Sequence, residues 1–141
     1  MITPEWDELE VKADLVEVDR VRHFIREKLN GLSISEEEEL KLELALHEIF
    51  VNIVLHAYPR EGGGVNIRIR GVHGNLHMEI RDRGIPFNPI EMPPIDLEEK
   101  LRQGTRGGLG IYLFKAIMDG YAYRRDGDEN VLTIRKRLEA Q

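Results

Sequence analysis

Cysteine is absent from this 141-residue chain. Disulfides, thiolate zinc sites and cysteine nucleophiles are therefore excluded, and stability must come from a packed core. No apolar run approaches the roughly 20 residues that a membrane-spanning helix needs. Met1–Glu10 are acidic and lack an apolar stretch, so no secretory leader is expected and the expected compartment is the cytoplasm. A basic excess is missing too: 20 Lys and Arg stand against 26 Asp and Glu, a formal net charge of -6. Binders of duplex nucleic acid usually show the opposite balance. Arg135-Lys136-Arg137 is offset by Asp126, Asp128, Glu129 and Glu139. There is no internal repeat and no low-complexity tract. Gly-Lys-Ser/Thr does not occur, which excludes a P-loop, and Gly108-x-Gly110 lacks the third glycine of a dinucleotide fingerprint. His73 and His77 flank a turn, so their spacing does not align them as a metal pair.

What is present is regular patterning. Residues 7–13 alternate weakly and suggest an edge strand. Val18, Val21, Phe24, Ile25 and Leu29 recur at helical spacing over 17–30, with Gly31 as a stop. Ser35 followed by Glu38 fits a capping box for a helix that runs to about Tyr58, where Pro59 ends it. Glu36–Glu39 then lie at the positive end of that helix, which suffices to explain the acidic run. Val65, Ile67 and Ile69, then Leu76, Met78 and Ile80, alternate about Gly71–Asn75 and predict a hairpin. Four of the six prolines fall within residues 85–106, a long connection with one short helical candidate at Asp96–Arg102. A helix follows from Leu109, with Gly120 expected as its C-cap. Tyr121–Arg125 and Val131–Leu138 predict a second hairpin around Gly127. Strands grouped as hairpins favour an α+β two-layer sandwich over a parallel fold.

Three places carry polar chemistry. In the apolar helix after Leu40, Glu48, Asn52 and His56 stand at i, i+4 and i+8 and share one face. A solvent-facing edge explains such a stripe, and Glu43 and His47 off it are expected to be such an edge. Alternatively the stripe lines a polar cavity. There Glu48 can orient and deprotonate a hydroxyl, and the Asn52 carbonyl is a hard oxygen ligand suited to magnesium. His56 has no derived role. Asp82 shares the parity of Leu76, Met78 and Ile80, so a carboxylate points toward the core. It can cap the turn at Gly84, or accept a hydrogen bond from an amino group such as adenine N6. A guanine O6 would instead leave it facing a second acceptor. Gly84 allows close backbone approach to a flat base. Finally Gly104-Thr105-Arg106-Gly107-Gly108-Leu109-Gly110 precedes a helix. It serves as a hinge and cap, or as an anion cradle with Arg106 on a terminal phosphate.

In order and spacing, Glu48-x-x-x-Asn52, Asp82-x-Gly84 and Arg106-Gly107-Gly108-Leu109-Gly110 resemble the GHKL ATPase superfamily with its Bergerat, histidine-kinase-like fold. The resemblance covers nearly the whole chain. Residues 52–58, 82–89 and 130–138 are similar to the short anti-sigma factor serine-protein kinases of that superfamily. Pro86 stands where the wider pattern has a second glycine and reads as a marker of that branch.

The resemblance implies a single domain over 1–141, with a mixed, mostly antiparallel sheet covered by helices on one face and an ATP lid at about 85–106. It implies ATP with Mg2+ and phosphoryl transfer to a serine of a STAS-type anti-sigma factor antagonist. It further implies sequestration of a sigma factor and a homodimer, without direct contact to nucleic acid or membrane. In the site that it implies, Glu48 is catalytic and Asn52 holds magnesium. Asp82 and Gly84 meet adenine, supported by Thr133, and Arg106, Gly107, Gly108, Leu109 and Gly110 hold the phosphates. A catalytically silent ATP-gated binding module and a switch kinase that activates a partner phosphatase are the alternatives.

Overall fold

The computed structural model describes residues 3–30, 32, 34–58, 63–91 and 109–138. The expectations placed on Gly31, Pro59, Asp96–Arg102, Arg106, Gly107 and Gly108 lie outside the described residues. Five strands form one sheet: β1 (Asp7–Lys12), β2 (Gly64–Val72), β3 (Asn75–Asp82), β4 (Gly120–Asp126) and β5 (Glu129–Arg137). Their spatial order is β1-β2-β3-β5-β4. Every pairing among the described residues is antiparallel, so the parallel contribution allowed for in the sequence is not seen there. The reason is local: β2–β3 and β4–β5 are hairpins, and β3 and β5 pair antiparallel between them. The β2–β3 turn is made by His73 at φ 50 and Gly74 at φ 77, a left-handed pair that matches strand twist.

Register aligns the apolar positions. Ile67 lies opposite Ile80 and Ile80 opposite Leu132; Ile69 lies opposite Met78 and Met78 opposite Ile134. These residues are all buried, and α1 (Val18–Leu29), α2 (Glu36–Asn52) and α3 (Leu109–Ile117) supply the other half of the core. Val21, Ile25 and Leu29 come from α1; Leu42, Ala45, Leu46, Ile49 and Phe50 from α2; Ile111 and Phe114 from α3. Each fully buried large side chain contributes about 1.5–3 kcal/mol. A core of this size offsets the cost of the few polar groups that it encloses.

Ser35 caps α2, its Oγ accepting from Glu38 N at 3.1 Å. The Glu38 carboxylate pairs with Lys136 Nζ at 2.7 Å, which ties the helix start to β5. Two expectations are corrected here. Glu43 is not a solvent edge: it is 5% exposed and accepts from Arg26 Nε at 2.9 Å, a staple between α1 and α2. Gly120 is not a helix cap: α3 ends at Ile117 and Gly120 opens β4 opposite Arg135. A Cβ there would lie 3.3 Å from the Arg135 guanidinium, so the glycine admits that side chain over the strand.

Candidate active site

Helix α2 places Glu48 and Asn52 one turn apart, both half-buried. Asn52 Nδ2 donates to Pro89 O at 3.2 Å. With the amide nitrogen held there, Oδ1 is the group left for a cation. Glu48 lies under the first turn of α3. A Cβ on Gly110 would fall 2.4 Å from Glu48 Cβ, closer than side chains tolerate, so only glycine lets α3 reach the carboxylate-bearing helix. The last turn departs from the expected α-helix: Ile53–Ala57 is π-helical, and Tyr58 is extended. Such widened turns often mark functional sites. Ala57 O accepts from Ile85 N at 2.8 Å. A Cβ on Gly84 would meet Ala57 O at 2.3 Å, so Gly84 is needed for contact with this turn as well as for any base. His56 swings outward, and its ring lies 5.5 Å from that of Phe87.

Asp82 closes β3 at 3% exposure, opposite Asn130 of β5. Its Oδ1 accepts from Gly84 N at 3.0 Å and Asn130 Nδ2 at 2.9 Å. Burial raises its carboxyl above the ordinary value, opposed by those two hydrogen bonds and by the Arg125 charge. Tyr58 braces the same corner: its hydroxyl donates to Gly64 O at 2.7 Å and accepts from Arg83 N at 2.8 Å.

Thr133 does not join this group. It pairs with Glu79 and Ala122 on the opposite parity of β5, and its hydroxyl donates to Ala122 O at 3.3 Å. Alternation places it on the sheet face away from Asp82. Asn130 stands beside Asp82 instead, a residue that the motif spacing does not single out. Its signal was shared parity with Leu132 and Ile134. Leu109 and Gly110 begin α3 as expected.

Asn52 and Asp82 are thus joined through one segment, residues 84–89: Asn52 bonds Pro89, and Asp82 bonds Gly84 directly and Ile85 and Phe87 by way of Asn130. Among the described residues no group of three or more His, Cys, Asp or Glu is arranged to hold a metal ion. The residues present nonetheless fit magnesium, which takes few protein oxygens and completes its shell with waters and phosphates. A depression of about 840 Å³ reaches the Asp82 and Tyr58 corner from the side of Glu8, Glu10, Asn66 and Arg81, and its lining does not include Glu48 or Asn52. None of the described helices is long and apolar enough to cross a membrane.

An antiparallel sheet with helices on one face, an acidic and amide pair on the long helix and a buried aspartate at the sheet end define an ATPase domain of the histidine-kinase type. The family profile described as histidine kinase-like ATPase domain matches residues 11–136, and the chain belongs to that family. Among curated proteins it is similar to the serine-protein kinase RsbW of Oceanobacillus iheyensis, 30% identical over 120 residues, covering 82% of this chain and 76% of the relative. It is also similar to RsbW of Bacillus mycoides, 27% identical over 125 residues, covering 86% of this chain and 77% of the relative. Among solved structures, the RsbU and RsbW domains of Rv1364c from Mycobacterium tuberculosis superpose with a TM-score of 0.61 at 19% identity. That match covers 96% of this chain and 33% of the other. The histidine kinase AdeS of Acinetobacter baumannii follows at 0.50 and 18% identity, covering 94% of this chain and 68% of the other. These two likenesses concern the fold.

Proposed function

We propose that this chain is a single ATP-binding domain that acts as a serine-protein kinase and anti-sigma factor. Its substrate would be a serine on a STAS-type antagonist, and its other partner a sigma factor, bound by a homodimer. The observation that carries the reading is the Glu48–Asn52 pair, one helical turn apart and linked through residues 84–89 to the buried Asp82. The RsbW relatives supply the reaction class.

In this reading Asp82 accepts a hydrogen bond from the adenine amino group, and Gly84 lies beside the ring. Arg106 and the amides of Gly107, Gly108, Leu109 and Gly110 meet the phosphates at the start of α3. Magnesium, when bound, would draw charge from the phosphates, with Asn52 Oδ1 as its protein ligand. Glu48 accepts the proton of the attacking serine hydroxyl. The serine oxygen bonds to the γ-phosphorus as the bridge to the β-phosphate breaks, and ADP leaves. Positioning and charge stabilisation supply most of the acceleration in such transfers.

The test combines γ-labelled ATP with a STAS protein encoded beside this gene. Label on its serine is expected, and Glu48→Gln is expected to lower transfer by about 100-fold or more. ADP affinity should stay within about threefold, because the carboxylate faces the transferred group rather than the base. ATP binding and partner capture without any label would instead favour a silent ATP-gated module. Label transfer combined with stimulation of a phosphatase would favour the switch kinase.

A further inference from the structure

Asn130 is the most heavily bonded side chain in the molecule's described part. Nδ2 donates to Asp82 Oδ1 at 2.9 Å and to Ile85 O at 2.7 Å. Oδ1 accepts from Phe87 N at 3.1 Å, Tyr123 OH at 2.5 Å and Arg125 Nη1 at 3.2 Å. The residue is 2% exposed. Its orientation is forced by these neighbours. Turned over, its nitrogen would face three donors and its oxygen would face a carboxylate and a carbonyl.

The consequence for Asp82 is specific. Gly84 N and Asn130 Nδ2 both bond Oδ1, and Oδ2 makes no hydrogen bond among the described residues. One oxygen is therefore anchored, and the second is presented in a fixed direction. The same amide holds both ends of the Ile85–Phe87 turn, and Arg125 Nη1, which also donates to Gly84 O at 2.8 Å, closes the ring. Further along, Pro89 O bonds Asn52. The side chain at 130 thus connects the candidate base-reading carboxylate to the backbone that reaches the candidate metal-binding amide.

We infer that Asn130 is a positioning residue that sets base selectivity: it holds Asp82 as a pure acceptor toward the base and locks the Gly84–Phe87 turn against it. This rests on the proposed reading of Asp82 as the adenine contact. A neutral amide suits the task because it lends Asp82 a donor without a charge. That donor favours the ionised form, which can only accept, and an amino group satisfies such an acceptor where a guanine carbonyl oxygen does not.

Replacement by aspartate inverts that logic without changing size. The new carboxyl would face Asp82 Oδ1 and Ile85 O, both acceptors, and the two acids would share a proton. The other charged or titratable groups facing this pair are Arg125, Glu129, Tyr123 and Tyr58, with His56 beyond Phe87. A shared proton lets Asp82 donate in part of the population, which a guanine oxygen can accept.

The experiment is calorimetric titration of the full chain with Mg-ADP and with Mg-GDP at about pH 8 and about pH 6. The unchanged protein should prefer ADP at both. Asn130→Ala should lose about tenfold in ADP affinity, and the ADP-over-GDP ratio should fall with it. Asn130→Asp should show a ratio that falls between the higher and lower pH, a readout that general loosening would not produce. A wild-type protein with no ADP preference would sink the reading of Asp82 itself. A wild-type preference retained at both pH values by Asn130→Ala and Asn130→Asp would overturn the role of Asn130 alone. If circular dichroism shows that neither variant folds, Arg125→Ala on the exposed edge strand decides. It removes one donor from Asn130 and the grip on Gly84 O, and should weaken ADP binding by about threefold or more. Unchanged affinity there overturns the inference.

Discussion

Gly110 and Glu48 stand in van der Waals contact across α3 and α2, with no room for even one added methyl group. Gly110→Ala must therefore push α3 away or turn the Glu48 side chain. The expected cost is about 1–3 kcal/mol of stability. Phosphoryl transfer should fall further than ADP affinity, because the displaced group is the proposed proton acceptor. Urea unfolding and single-turnover transfer measure the two effects. An alanine variant that transfers at the wild-type rate would show that the contact does not position Glu48.

Asp82 sets stability against its proposed role in binding. Burial raises its carboxyl, so the folded state holds the proton more tightly than the unfolded chain. Across the window between the unfolded and folded values, folding stability falls as pH rises, and above it the loss is complete. Asp82→Asn keeps an acceptor for Gly84 N and Asn130 Nδ2 and carries no charge. Its apo form should be about 0.5–2 kcal/mol more stable than wild type at neutral pH. It should also lack this acid-side slope and the preference for ADP over GDP. Denaturant midpoints across the acid range check the first two points.

Tyr58→Phe removes a hydroxyl that both donates to Gly64 O and accepts from Arg83 N. Leaving those backbone groups without partners should cost about 1–2 kcal/mol. Burial raises the phenol above 10.0. The native state then keeps a proton that the unfolded chain gives up, so wild-type stability declines as pH climbs past that value. The phenylalanine variant should lack this component of the alkaline decline. An identical alkaline profile for both proteins would contradict the assignment.

Thr133→Val tests the parity of β5. Because Thr133 lies on the face away from Asp82, ADP affinity should change by less than about twofold, within ordinary surface-substitution effects. A loss of tenfold or more would return this residue to the nucleotide site.

Much of the frame was visible in local pattern. The alternation of Val65, Ile67 and Ile69 against Leu76, Met78 and Ile80 predicts the hairpin, and Ile67 does face Ile80. Ser35 and Glu38 marked the true start of α2. What local pattern could not show are partners far apart along the chain. Glu43 looks like a wet edge until Arg26, 17 positions earlier, arrives beside it. Asn130 meets Asp82 across 48 positions. Strand parity places Asn130 on the Asp82 face, whereas the resemblance points to Thr133, three residues later and on the other face. Gly120 sits where helix-stop chemistry and close strand packing both call for glycine, and only the Arg135 side chain distinguishes them.

Strand β5 follows the other four described strands in chain order yet lies between β3 and β4. During synthesis, β1, β2 and β3 can pair while β5 is still inside the ribosome, but β3 keeps an open edge until residues 129–137 emerge. The amide that anchors Asp82 arrives with that strand. A nascent chain therefore completes this corner only when β5 emerges, and a product truncated before β5 would expose a pairing-competent edge and lack the amide that anchors Asp82.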